Sequence, residues 1–264
     1  MNLYYSDEKQ RQRKRRFLKL KIYLVFSVFL FLAGGIGYLV VYSSAFRIKN
    51  INITPSESEI SGKLIEDIKI FFYEQSKIAF FLGADNILIW KNKTDFFPKN
   101  YPQILRLKIK KDYFHREINI EFEEREKFGI WCPQEEFAMN CWWFDKNGIV
   151  FEKAPRVEGE IIYKIIDSSQ GELSLGGRIL DESLFKNLLK IFELLEKADF
   201  NSKTFRLDLA LYEVQTELSP KIYFNIRIDP DFGLSALQSF KNQDLKKIEY
   251  IDLRVENRAY YRFK

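Results

Sequence analysis

Histidine is nearly absent from this sequence: His115 is the only one among 264 residues, and there are only two cysteines. The sequence also lacks the G-x-S-x-G motif of serine hydrolases, a glycine-rich phosphate-binding loop and the H-E-x-x-H motif of zinc proteases. His115 falls in a predicted turn without a nearby serine or cysteine to activate, so we interpret it as an ordinary exposed histidine. The sequence therefore favours a binding protein over an enzyme, without a cofactor or a small-molecule substrate.

Metal-site patterns are also missing. Zinc would need two ligands besides the cysteines, and His115 is not at ligand spacing from either. Residues 145–148 resemble the start of a calcium loop, but the later ligands are absent. The carboxylates of residues 121–126 alternate with Phe122 and basic residues, which is typical of a solvated strand end rather than an acid–base pair.

Glycine and proline are scarce, with 12 and 7 residues, and no linker, low-complexity segment or internal repeat is evident. The composition is 46% hydrophobic and 16% aromatic, which indicates globular structure rather than disorder.

Charge is missing from residues 22–42, where only Ser27 is conventionally polar. A helix of that length spans roughly 30 Å, the thickness of a bilayer's hydrocarbon core. A buried core helix seldom runs so long without charge. A cleaved signal peptide should have a shorter apolar stretch, and residues 43–45 make only a weak cleavage site. The sequence predicts a permanent transmembrane helix.

A basic tail precedes this span. Residues 1–21, predicted to be disordered, carry eight Lys and Arg against two acidic residues, so the 222 residues after the span have a net charge near −1. Basic flanks resist translocation, so we expect a cytoplasmic N-terminus in the plasma or inner membrane and extracytoplasmic domains beyond it. Contact with anionic lipid explains the tail better than nucleic-acid binding does. The topology determinants are Arg11, Arg13, Lys14, Arg15 and Arg16.

The first 80 or so residues after the span predict a domain over residues 43–126. Alternation predicts a strand over 46–53, and helical spacing with an N-cap at Thr54 predicts a helix over 55–75. Residues 86–90 predict a strand or helix start, and 95–100 a short helix. Period-two patterns then predict two strands, 104–109 and 118–122, joined by a hairpin at 112–116.

A second domain is predicted over residues 127–264. Its turn signal at residues 145–148 contains Asn147-Gly148, and a helix follows Asp181 with an apolar stripe. The fold class is α+β, with a predominantly antiparallel sheet and helices on one face. Predicted strands cover 128–132, 141–144, 149–151, 161–166, 204–211, 212–217, 222–228, 248–255 and 259–263, and a second helix covers 232–240.

Cys132 and Cys141 both lie in the part predicted to be exported. In an oxidising compartment, a pair nine positions apart favours a disulfide over two free thiols.

Four motifs resemble the bacterial cell-division family FtsQ/DivIB, in the family's order along the whole chain. The strand 46–53 follows the span; residues 101–104 with 118–125 are similar to "P-x-I … L-x-I-x-V-x-E-R"; residues 143–151 resemble "hydrophobic-D-x-x-G-x-V-F"; residues 250–254 resemble "I-D-L-R". His115 or Arg116 replaces the family's usual hairpin proline, and the two cysteines are not a general family feature.

The resemblance implies a POTRA domain near the membrane, a β domain beyond it, and no enzymatic activity. It implies a divisome scaffold at the septum whose partners are FtsB- and FtsL-like membrane proteins. The alternatives are a POTRA-bearing docking or export factor, and an anchored hydrolase or ligand sensor, which would require a concave polar pocket.

By this resemblance, a partner segment is expected to extend the sheet at the final strands. The first strand, 46–53, is a second possible contact surface. Side chains of Ile251, Leu253 and Val255 also fit a simple core-facing role. The candidate partner-binding residues are Ile251, Asp252, Leu253, Arg254, Val255 and Tyr260.

Overall fold

The computed structural model describes residues 3–93, 100–133, 141–169, 173–240 and 245–264. The chain divides into two compact units, one formed by Met1–Phe96 with Leu107–Phe122 and the other by Phe97–Arg106 with Glu123–Lys264. The predicted helix at residues 95–100 lies almost entirely outside the described residues. The mixed helix and strand content agrees with the predicted α+β class.

The first helix, α1, runs over Leu3–Tyr42, and its part Phe17–Tyr42 is long and apolar enough to span a membrane. The predicted disorder before residue 22 is replaced by helix that begins at Leu3. Neither glycine nor proline interrupts residues 3–33, and the tail is rich in Lys, Arg and Gln, which favour helix. Arg11, Arg13, Lys14, Arg15 and Arg16 therefore lie on the helical backbone of α1.

Beyond α1, the first unit contains two helices and most of a three-stranded sheet. Its elements are β1 (Asn50–Thr54), α2 (Ser61–Gln75), α3 (Ala79–Leu82), β2 (Ile104–Asp112) and β3 (Glu117–Glu124). The sheet order is β1-β3-β2, with β1 parallel to β3. Leu64, Ile68 and Phe72 recur every four residues and form the buried face of α2.

Two local predictions in this unit were wrong. Thr54 does not cap α2, because β1 continues to Thr54, which pairs with Glu121, and the helix begins only at Ser61. Residues 86–90 form turns with a single bridge between Arg47 and Asn86, and neither a strand nor the start of a helix. A short apolar run gives no periodicity that separates a strand from a buried turn.

The second unit contains a nine-stranded sheet in the order β12-β11-β10-β9-β8-β7-β4-β5-β6. The strands are β4 (Gly129–Pro133), β5 (Trp142–Phe144), β6 (Val150–Lys153), β7 (Tyr163–Asp167), β8 (Thr204–Asp208), β9 (Glu213–Thr216), β10 (Lys221–Asn225), β11 (Ile248–Leu253) and β12 (Tyr260–Phe263). Helices α4 (Glu182–Lys197) and α5 (Gly233–Phe240) pack against its main core, which contains Leu188, Phe205, Phe224, Leu237 and Ile251.

The large sheet is mixed rather than wholly antiparallel. Among the eight pairings between its described strands, β4–β7, β7–β8 and β10–β11 are parallel. Helix α4 connects β7 to β8, and α5 connects β10 to β11. A strand that returns through a helix lies parallel to its neighbour, which explains two of these pairs.

A smaller apolar cluster contains the cysteine pair. Cys132 and Cys141 are joined by a disulfide, as the sequence favoured, and pack with Ile130, Trp143 and Phe151. At the other end of β5, Asp145 accepts hydrogen bonds from the backbone N–H groups of Asn147 and Ile149 at 2.9 and 3.0 Å. This forms the predicted turn, in which Gly148 has a positive φ of 72°.

Candidate partner-binding edge of the large sheet

The last strand, β12, ends one side of the nine-stranded sheet. It pairs with β11, and its other side has no strand partner among the described residues. All four residues of β12 are exposed, and Tyr261 and Phe263 each leave about half of their surface in water. An open strand edge of this kind is a template for another strand.

The backbone groups available on this edge follow from the register. Lys264 donates its N–H to the carbonyl of Lys247 at 2.9 Å, towards β11. Inward and outward groups alternate along an antiparallel strand. The register shift between Ile248 and Tyr250 lies on β11 and leaves the alternation along β12 unbroken, so Tyr260 and Arg262 also bond towards β11. The N–H and C=O groups of Tyr261 and Phe263 therefore point to the open edge.

The structure places the six predicted partner-binding residues in different environments. Ile251 is 0% exposed and Leu253 is nearly as buried, both in the core beneath α5, so their side chains are inaccessible to a partner. Strand β11 is also interior, because β10 and β12 flank it. Val255 lies in the turn after β11 and is exposed, and Tyr260 begins the edge strand.

Asp252 and Arg254 hold the end of β11. The Asp252 carboxylate accepts from Nε and Nη2 of Arg254 at 2.9 and 2.6 Å, and Nη1 of Arg254 donates to Glu213 on β9 at 2.9 Å. The guanidinium also lies 5.1 Å from the Tyr223 ring centre. This arrangement of Asp252, Arg254 and Glu213, called the Arg254 clamp, crosses three strands and fixes where the chain leaves β11 to turn into β12.

These contacts also change the ionisation of the pair. Hydrogen bonds from Arg254 lower the pKa of Asp252, and the bonds to Asp252 raise the pKa of Arg254. An aspartate whose pKa is lowered by folding stabilises the fold at pH values above its unfolded-state pKa. This stabilisation is lost as the pH falls through the folded-state pKa. The clamp is therefore retained at neutral pH.

The side chains of β12 form a small aromatic surface that the sequence prediction missed. The Tyr261 ring lies 5.1 Å from Phe240 on α5 and 5.3 Å from Phe263. Arg262 pairs with Glu249 at 2.9 Å. The sequence prediction named only Tyr260 in this strand, although the aromatic run Tyr260-Tyr261-Arg262-Phe263 was the available signal.

The second possible contact surface, residues 46–53, has a similar position in its own sheet. Strand β1 pairs with β3 and has no second strand partner among the described residues. Asn50 and Asn52 use their side-chain amides to bind Glu117 at 2.9 and 3.0 Å. This edge is more polar than β12.

A shallow cavity of about 240 Å³ lies beside the Arg254 clamp, lined in part by Arg206, Asp208, Glu213 and Tyr223. Arg206 pairs with Glu217 at 2.8 Å and Glu213 pairs with Arg254, so two of the charged groups that line the cavity are held in ion pairs.

His115, in the other unit, is exposed and bonds Asp112 at 2.7 Å, which raises the pKa of His115. Among the described residues, no cluster of three metal-ligating side chains occurs.

Comparison of the chain with models of known protein families and with curated proteins gives no significant match.

Proposed function

We propose that this protein is a non-enzymatic, single-pass membrane scaffold of the FtsQ/DivIB type. In this proposal it helps to assemble the septal division complex by binding partner proteins outside the cytoplasm. The observation that carries the proposal is the open edge of β12, whose outward backbone groups belong to Tyr261 and Phe263. Strand addition at such an edge is a common way to capture an extended segment.

The architecture supports this proposal beyond the four sequence motifs. After α1 the elements follow in the order strand, helix, helix, strand, strand, as predicted for residues 43–126, although the second helix is α3 and not the one predicted at residues 95–100. In this proposal the nine-stranded sheet that follows would be the β domain. With the basic tail in the cytoplasm, both folded units would lie on the side of the membrane where division partners assemble.

The proposed mechanism uses the backbone more than the side chains. A segment of an FtsB- or FtsL-like protein would pair with β12, and the half-exposed rings of Tyr261 and Phe263 would supply apolar contact on one face. The Arg254 clamp would hold the turn before β12 in place. Rigid presentation of the edge lowers the ordering cost of binding.

Live imaging tests the division role. A fluorescent protein fused to the cytoplasmic N-terminus is expected to form a band at midcell before constriction begins. A fusion that ends at Ser44 is the control, because it retains α1 without the folded units. A full-length fusion that stays uniform around dividing cells would contradict the proposal.

A further inference from the structure

The first folded unit is attached directly to the end of α1. The side-chain amide of Asn86, itself buried, donates to the carbonyl of Val40 at 3.1 Å, which satisfies an acceptor in the last turn of the helix. Ile87 donates its N–H to the carbonyl of Phe46 at 2.8 Å, just beyond the helix. Helix α3, four residues before Asn86, also contacts α1.

The β2–β3 hairpin is attached at the same level. Arg116 donates from Nη1 to the carbonyl of Ser44 at 2.8 Å, two residues past the end of α1. The Arg116 carbonyl accepts the N–H of Lys49 at 2.8 Å. The tip of this hairpin therefore lies beside the point where the chain leaves the apolar helix.

Both attached segments carry large apolar side chains in water. On α3, Ala79 faces inward, while Phe80 is 82% exposed and Phe81 is 70% exposed. At the hairpin tip, Phe114 is 98% exposed. Together with Ile78 and Tyr113, which are about half exposed, these residues are called here the juxtamembrane apolar surface.

We propose that the juxtamembrane apolar surface inserts into the interfacial layer of the bilayer and fixes the first folded unit against the membrane. Its two parts are tied to the chain at Val40 and Ser44, the level at which the apolar segment Phe17–Tyr42 ends. Phenylalanine is common on the buried face of helices that lie in this interfacial layer. Helix α3, which carries Phe80 and Phe81, also contacts α1.

This inference rests on the membrane-spanning part of the proposed function and not on the division role. Exposed phenylalanines on a short helix would otherwise meet water in the extracytoplasmic space. Insertion at two separate points would restrict the tilt of the first folded unit relative to the bilayer. A single transmembrane helix joined to the unit by a flexible segment would not restrict this tilt.

Depth-dependent fluorescence quenching tests the inference on the full chain in phosphatidylcholine–phosphatidylglycerol vesicles. Tryptophan is introduced separately by Phe80→Trp and Phe114→Trp, and emission of the four native tryptophans is subtracted using the parent protein. At both positions the added emission is expected to lose roughly half or more of its intensity to lipids brominated near the headgroup, and to resist aqueous iodide.

Two control variants make the result decisive. Phe31→Trp lies within α1 and should be quenched by lipids brominated along the chain. Glu57→Trp lies beyond the far end of β1, a strand of ~13 Å that leads away from α1, and should respond to iodide alone. If positions 80 and 114 behave like position 57 while position 31 is quenched, the span stands and the inference is overturned. If position 31 also escapes lipid quenching, the span and the inference fail together.

Discussion

Replacing Tyr261 with proline is expected to weaken capture of an FtsB- or FtsL-like segment by roughly 30-fold or more, without unfolding the sheet. The N–H of Tyr261 points to the open edge, so proline removes a donor offered to the partner and keeps the ladder to β11. The pyrrolidine ring of the proline also prevents the partner strand from approaching β12 closely, and one carbonyl of the partner remains unpaired. Together these effects cost about 2 kcal/mol of binding free energy. Proline is tolerated on an edge strand in this orientation.

The matched control is Tyr261→Ala, which removes the same ring contacts with Phe240 and Phe263 but keeps the backbone N–H. Binding of purified partner segments to both variants is measured by calorimetry, with thermal unfolding as a check on the fold. Alanine is expected to bind several-fold more tightly than proline. Equal binding by the two variants would rule out backbone pairing at Tyr261.

Replacing Asp145 with alanine is expected to destabilise the second unit by about 3–5 kcal/mol, because the change leaves a partly buried guanidinium without its carboxylate. Asp145 is 4% exposed and accepts from Nη1 of Arg125 at 2.5 Å. It also accepts the N–H groups of Asn147 and Ile149, so the turn before β6 loses two hydrogen bonds as well. Urea unfolding followed by tryptophan fluorescence measures the loss, since three of the four tryptophans belong to this unit.

Two comparison variants separate the buried pair from its surroundings. Arg125→Ala should cost less than Asp145→Ala, roughly 1–3 kcal/mol, because the carboxylate keeps its backbone donors. Glu152→Ala breaks the exposed pair with Lys127 and should change stability by less than about 1 kcal/mol. If Asp145→Ala were no worse than Glu152→Ala, the buried pair would not be holding the turn.

Much of the second unit was predictable because its patterns are long and regular. The predicted stripe of α4 has helical spacing and contains Leu184, Leu188, Ile191 and Leu195. The last three are buried, and Leu184 is partly buried. Period-two alternation located β8, β9 and β10 to within a few residues. The turn at residues 145–148 was predictable from Asn147-Gly148, because the backbone and side-chain requirements of a tight turn involve only residues next to each other in the sequence.

The candidate edge was less predictable because alternation shows which face a side chain occupies but not which strands are neighbours. Ile251 and Leu253 alternate as strand residues do, and the sequence could not show that β11 lies between β10 and β12. Parallel pairing of β10 with β11 depends on the crossover through α5, a tertiary feature. The aromatic content of β12 was the one sequence signal for this exposed strand.

The central claim is that a partner strand adds to the open side of β12. Residue-resolved amide hydrogen exchange by NMR, with and without a bound partner segment, tests it most directly. Without a partner, the amides of Tyr260 and Arg262 should be protected, and those of Tyr261 and Phe263 should exchange quickly. Binding is predicted to slow exchange at Tyr261 and Phe263 by an order of magnitude or more. Unchanged exchange at both amides in the saturated complex would contradict strand addition at this edge.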